Sequence, residues 1–561
     1  KGGITSGILY PPAIEEIRQR FTLAGVGGTS AGAIAAALAA AAELRRRNGS
    51  DAGYAELANI PGQIGGAGRL LQLFMPDAET SWLFNAFLRS LRLKEIPGGA
   101  KFIDKVPSII DALRVLLIDS TLRPLGANGL GLCSGMGNGV KPPEGSLPPL
   151  TTWLSERIDA IAGKAKDQPL TFGDLWSAPV PDHLKGTMTG RRSIQLQLVS
   201  TCLTFGRPYA IPHLDNRFAF SPDEMSRLFP PYVVDHLIRE GNQIKPPPHM
   251  PSDLLPLPAG EQLPVILGVR MSLCFPVLFS LVPFHYPNFR VDPVRYERAY
   301  FADGGITSNL PVHFFDSPFP RWPTLALNLQ YTKAPGVFDR SNVDANGVWM
   351  TKNAGDGTLE LFNRFLLSKS PLGQLGGLAG AIFRSAQTWT DNSFLTLPGF
   401  RDRVAEVWLD PHEGGMNLEM PPSVIEGLVK KGRAAGARLV ERFADPGGGI
   451  AQSWDGHRWT RLRASMSALA RYSRAWQESV DHPMPGDRSL WELLAEKNEP
   501  CYPFNNETQR REATEAARAF EAFAALLGAA SPGRESQESD SKPFHGEPKP
   551  RVTLQPRASM T

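Results

Sequence analysis

Apolar and polar positions alternate through Ile194-Gln195-Leu196-Gln197-Leu198-Val199, the period of two expected of a strand with one face in a core. Short apolar runs at Val265–Val269, Leu325–Leu329 and Val404–Leu409 predict three more strands. Apolar positions recur at helical spacing over residues 422–443, 457–478 and 508–527, predicting three amphipathic helices. Nearer the start, the apolar run Phe21–Val26 leads to Gly28-Thr29-Ser30-Ala31-Gly32 and then to an alanine-rich run through Ala42. That order reads as strand, tight turn and helix, the helix closing on Arg45-Arg46-Arg47 with Asn48-Gly49 behind it. Strands interleaved with helices predict an α/β fold whose mostly parallel sheet is flanked by helices.

Two stretches depart from this alternation. Residues from about 50 to 168 read as a large insertion, rich in Gly and Pro at Gly65–Gly68 and Gly126–Pro149, with helical runs at Trp82–Leu91 and Ile109–Ile118. Beyond about 335 the chain is glycine-rich and then mainly helical. The expected organisation is a unit over 1–335, a helical extension over 336–530 that can complete its core, and a tail over 531–561. The tail turns to Ser, Pro, Glu and Lys, and Ser531–Asp540 carries no core-forming residue, so disorder is expected there.

With 561 residues and 42% hydrophobic content the chain can bury a large core. Its 59 basic residues nearly balance 56 acidic ones, which leaves no global signal for nucleic acid. Basic character is local: Lys430 to Arg474 holds ten Lys and Arg against three acidic residues, interleaved with Trp454, Trp459 and Tyr472. Such a window suits anionic lipid headgroups, and equally a solvated helical face. Cys133, Cys202, Cys274 and Cys501 stand far apart, no Cys/His cluster has metal spacing, and no apolar stretch reaches 18 residues. No metal or cofactor is expected, and the compartment expected is cytoplasmic.

Chemistry concentrates at Gly28-Thr29-Ser30-Ala31-Gly32. A serine on a sharp strand-to-helix turn projects its hydroxyl ahead of a helix N-terminus, and Gly28 and Gly32 let strand and helix approach. The same five residues also suit a plain small-residue loop. A phosphate loop is excluded, because Ala33-Ile34 stand where lysine and a hydroxyl residue are required.

Two further segments bear on this serine. The chain opens Lys1-Gly2-Gly3-Ile4-Thr5-Ser6-Gly7, and far downstream Ala299-Tyr300-Phe301-Ala302 leads to Asp303-Gly304-Gly305-Ile306-Thr307-Ser308-Asn309-Leu310-Pro311. In this order the three pieces resemble the patatin-like phospholipases, over roughly residues 1–330. The resemblance implies a lipid acyl hydrolase in which Ser30 attacks the ester and Asp303 takes its proton directly, supported by Gly28, Gly32, Gly304 and Gly305. It implies oxyanion donors from the amides of Gly2 and Gly3, although Thr5-Ser6 replace the basic residue usual in that loop. It also implies a strand ahead of Lys1, an insertion that forms either a lid or a surface excursion, and peripheral contact with membranes. Two rivals stand beside it. One is a Ser-His-Asp hydrolase using His313 or His412, and the other is a lipid-binding protein disabled by its altered oxyanion loop. Ser272, in Arg270-Met271-Ser272-Leu273-Cys274, reads as a helix cap rather than a second nucleophile.

Overall fold

The computed structural model describes residues 5–65, 68–92, 129–187, 192–332, 343–352, 399–414, 417–445, 453–481, 486–496 and 501–528, with isolated positions at 338, 484 and between 374 and 397. The run Ile109–Ile118, the tail over 531–561 and the loop glycines Gly2 and Gly3 lie outside the described residues.

The main sheet is built from β1 (Gly25–Gly28), β3 (Gln195–Cys202), β4 (Arg207–Ile211), β5 (Ala219–Phe220), β6 (Leu255–Pro256), β8 (Val282–Asn288) and β9 (Arg295–Asp303). Its order is β1-β3-β9-β8-β5-β6, with β4 also paired to β3. A second sheet joins β10 (Ala326–Tyr331), β12 (Val404–Leu409) and β11 (Val348–Trp349), and a small pair joins β2 (Gly131–Cys133) to β7 (Val277–Phe279). Pairing is mixed. It is parallel at β1/β3, β10/β12 and β2/β7, and antiparallel at the other pairs, both across short returns such as β3 to β4 and β8 to β9 and across long ones such as β3 to β9.

The register of β3 places the site. Leu198 has Gly28 of β1 on one side and Ile211 of β4 on the other, while Ser200 has Asp303 of β9 opposite Tyr209 of β4. β1 and β9 therefore share one edge of β3 and run toward each other, their C-terminal ends meeting there. Two residue steps along β3 separate the partners of Gly28 and Asp303, about 6–7 Å.

Helix α1 spans Tyr10–Arg18, and α2, Ala31–Arg47, follows the turn after β1. Alanine keeps α2 thin enough to be buried almost all round, with α3 (Ala52–Ile64) and α4 (Leu150–Ala162) packed upon it. Its buried Glu43 is held by Arg46 at 2.7 Å, Arg47 at 2.9 Å and the Tyr54 hydroxyl at 2.8 Å. Elements of the insertion thus pack into the core.

The apolar run at Val265–Val269 is no strand. It lies in helix α5, Val265–Ser272, every residue of which is buried. A short run apolar on all faces carries no period that separates a buried helix from a buried strand. Val404–Leu409 is β12, fully buried beside β10, and α6 (Pro422–Phe443) lies across α1. Gly432 and Gly436 make that crossing close: a Cβ would sit 2.1 Å from the Leu9 carbonyl oxygen and 2.5 Å from that of Ala13. The two last long helices, α7 (Trp454–Asp481) and α8 (Glu507–Gly528), pair through Trp476 on Phe520. No helix among the described residues is long and apolar enough to cross a membrane.

Candidate active site

The turn after β1 bends sharply at Ser30, whose backbone takes φ 53° and ψ −130°. Such a conformation in a non-glycine residue costs on the order of 1–3 kcal/mol and persists only where the surroundings enforce it. Four hydrogen bonds enforce it. The Ser30 amide donates to the Ser272 hydroxyl at 3.1 Å, and the Thr29 hydroxyl donates to Asn309 at 3.1 Å from its carbonyl oxygen. The amides of Gly32 and Ala33 then close the first turn of α2 on the carbonyls of Thr29 and Ser30. At Gly28 a Cβ would stand 2.2 Å from the Gly32 carbonyl oxygen, so this turn requires glycine there.

Asp303 closes β9 with its amide bonded to the Cys274 carbonyl at 2.9 Å. Its Oδ1 accepts the Gly305 amide at 2.6 Å. A Cβ on Gly304 would strike the Val199 carbonyl oxygen at 2.0 Å, so only glycine lets the chain turn against β3. Oδ2 is buried without a conventional hydrogen bond. Burial pushes the carboxyl up to about 6, against the lowering influence of the Ser30 hydroxyl and the Gly305 amide. The structure thus brings together Ser30, Asp303, Gly28, Gly32, Gly304 and Gly305.

Ser30 opens on an apolar pocket. Ile34 and Leu38 of α2, Ile60 and Ile64 of α3, Trp153 of α4 and Phe279 line it, so the insertion builds its wall. Thr5 and Gly7 line it as well, which brings the opening loop to the same mouth, next to Ser30.

Neither histidine joins the serine. Among the described residues no histidine bonds to Ser30 or Asp303; His313 lies against Phe314 at 4.7 Å, and the His412 carbonyl accepts from Asn417 at 2.8 Å. Ser272 ends helix α5 rather than capping its start, and its hydroxyl serves the Ser30 amide. Sequence reasoning missed that role because the two residues are distant in the chain. The contact of Asn309 with Thr29 likewise joins residues 280 apart in the chain. Among the described residues no group of His, Cys, Asp and Glu could hold a metal ion.

The Ser272 contact gives a direct test. Ser272→Ala leaves the buried Ser30 amide without its acceptor, and the expected cost is about 1–3 kcal/mol in a urea unfolding titration. An unchanged unfolding midpoint would show that the elbow does not depend on this bond.

The basic window divides on inspection. Lys431 pairs with Glu413, Arg442 donates to the Asp402 carbonyl at 3.0 Å, and Arg461 pairs with Asp316 at 3.0 Å, so these three cations are internal. Arg471 and Arg474 are exposed on α7, where Trp459 and Tyr472 are exposed too.

A protein described as "RpoH suppressor" from Rhizobium meliloti (strain 1021) is 31% identical, over 91% of this chain and 92% of its own length. Residues 1–316 match the family model described as patatin-like phospholipase, which takes in the serine turn and the Asp303 loop. The chain belongs to the patatin-like phospholipase family, a family of lipid acyl hydrolases.

Proposed function

We propose that the protein hydrolyses acyl esters of membrane lipids, in the manner of a phospholipase A, with Ser30 as nucleophile and Asp303 as its base. The observation that supports this most is the buried Asp303 carboxyl, pushed up to about 6, beside a strained serine at the mouth of an apolar pocket. A carboxyl that titrates at about 6 is still mainly ionised at neutral pH, and it is a stronger base there than an ordinary aspartate. Asp303 takes the Ser30 proton as Oγ adds to the acyl carbonyl. Collapse of the adduct breaks the ester C–O bond, and the leaving alcohol takes that proton. Water, deprotonated by the same carboxylate, then adds to the acyl carbonyl; the C–Oγ bond breaks, Asp303 returns the proton to Ser30, and the fatty acid leaves. The amides of Gly2 and Gly3 serve as oxyanion donors, each worth roughly 3–4 kcal/mol at such a site. Residues 1–335 form the catalytic unit, and 336–530 close its core through β12 and α6. The test is hydrolysis of a panel of phospholipids and acyl esters by the full chain, with fluorophosphonate labelling mapped by mass spectrometry. Labelling at Ser272, or turnover without labelling at Ser30, would overturn the assignment.

Contact with lipid is peripheral in this reading, through the exposed Arg471 and Arg474 with Trp459 and Tyr472. Each cation near an anionic surface contributes about 1 kcal/mol, screened by salt. Reversing both to Glu should therefore weaken co-sedimentation with phosphatidylglycerol vesicles at least about tenfold at low salt. Binding that ignores both salt and the reversal would make this a solvated face.

A further inference from the structure

The segment from Asp303 to Asp316 touches the serine elbow more than once. Asn309 receives Thr29, and the Phe315 ring lies flat on β1, where a Cβ on Gly25 would be 2.7 Å away and one on Gly27 2.9 Å away. The strand Gly25-Val26-Gly27-Gly28 leaves room for that ring because three of its four residues have no side chain. The next residue, Asp316, is gripped from the extension. Its Oδ1 accepts from Arg403 at 2.8 Å and its Oδ2 from Arg461 at 3.0 Å, and both guanidinium groups lie over the Phe400 ring. Arg461 also donates to the Ser317 carbonyl at 2.7 Å, and Asp391 accepts the Leu310 amide at 3.0 Å.

We propose that Arg403 and Arg461 form a latch on Asp316 that seats residues 304–316 over β1 and so sets the approach of Asp303 to Ser30. The inference rests on the hydrolase reading for its effect on rate. Both arginines lie beyond residue 316, where the family match ends, so this support comes from the extension. Both are almost completely buried, and burial holds the Arg403 guanidinium below its usual range against the raising influence of Asp316. An ion pair so placed is a geometric constraint: removing one partner leaves the other buried and the segment free to shift. Arg461 is a positioning residue, since it touches neither serine nor carboxylate. It sits on α7, whose exposed face carries Trp459, so a force on that helix reaches the catalytic loop through the bonds of Arg461 to Asp316 and to the Ser317 carbonyl.

The test compares the full wild-type chain with Arg461→Lys and Arg461→Ala by hydrogen–deuterium exchange and by ester hydrolysis. Arg461→Ala should speed exchange at the Leu310 amide at least about tenfold, while α2 and β8 keep wild-type rates. It should lower kcat about tenfold to a hundredfold with KM within about twofold, and Arg461→Lys should restore most of it. Unchanged exchange over 304–316, or a loss spread evenly through the fold, overturns the latch. If the wild-type chain cleaves no ester and takes no fluorophosphonate, the hydrolase reading falls, and exchange alone then decides the latch.

Discussion

Asp303→Asn will remove nearly all ester hydrolysis and, at pH 8, will make the protein harder to unfold. The first effect follows from chemistry, because the amide cannot accept the Ser30 proton; a loss of at least about a thousandfold is expected. The second follows from burial. The carboxyl stands near 6 in the folded chain against 3.8 for the unperturbed group, so the folded chain holds this proton more tightly than the unfolded chain. The stability this proton contributes is therefore full below pH 3.8 and lost as pH rises through about 6. Above that the fold carries the cost of a buried charge, on the order of 2–3 kcal/mol. Asparagine removes that charge and retains an oxygen for the Gly305 amide, with Nδ2 free to donate to Ser30. The advantage should shrink as pH falls through 6, and melting curves at pH 5 and pH 8 measure it. In the wild type, kcat/KM should rise with pH to a plateau with an apparent pKa near 6. A profile flat between pH 5 and 8 would remove Asp303 from the role of base.

Ser30→Ala should abolish fluorophosphonate labelling and lower turnover by at least about a thousandfold, with the fold intact. Alanine keeps the Ser30 amide, and so keeps the bond to Ser272 that supports the elbow. Its backbone strain at φ 53° is that of serine, so the unfolding midpoint should move little. His313→Ala serves as the contrast, since that ring packs on Phe314 and holds no bond to Ser30. Equal losses in the two variants would favour a histidine base. Residual turnover in Ser30→Ala equal to wild type would place the nucleophile elsewhere.

The elbow was legible because its physics is local: a strand, two glycines and an alanine helix leave a serine no other posture. α6 was legible for a similar reason, its apolar period lying within one element. The meeting of β1 and β9 on one edge of β3 was not, because register is decided between strands more than a hundred residues apart. The α5 run failed for want of any period, since all its faces are buried. The insertion left a lid and a surface excursion both open, whereas its helices pack on α2 and wall the pocket, an arrangement decided between distant segments. The basic window misled in part because composition counts cations without saying which ones turn inward to Asp316 or Glu413.

The crossing of α6 on α1 fixes an order of events during synthesis. Leu9, Tyr10 and Ala13 are buried, with Gly432 resting on the Leu9 carbonyl and Gly436 on that of Ala13. At about 5–20 residues per second a ribosome delivers α6 roughly 20–80 s after α1. For all that time the nascent chain carries an amphipathic helix whose apolar face still lacks its eventual cover, a natural foothold for a chaperone. A chain released at residue 316, with the whole family-matched region in hand, would keep that face bare for its lifetime and should aggregate rather than work as a smaller enzyme.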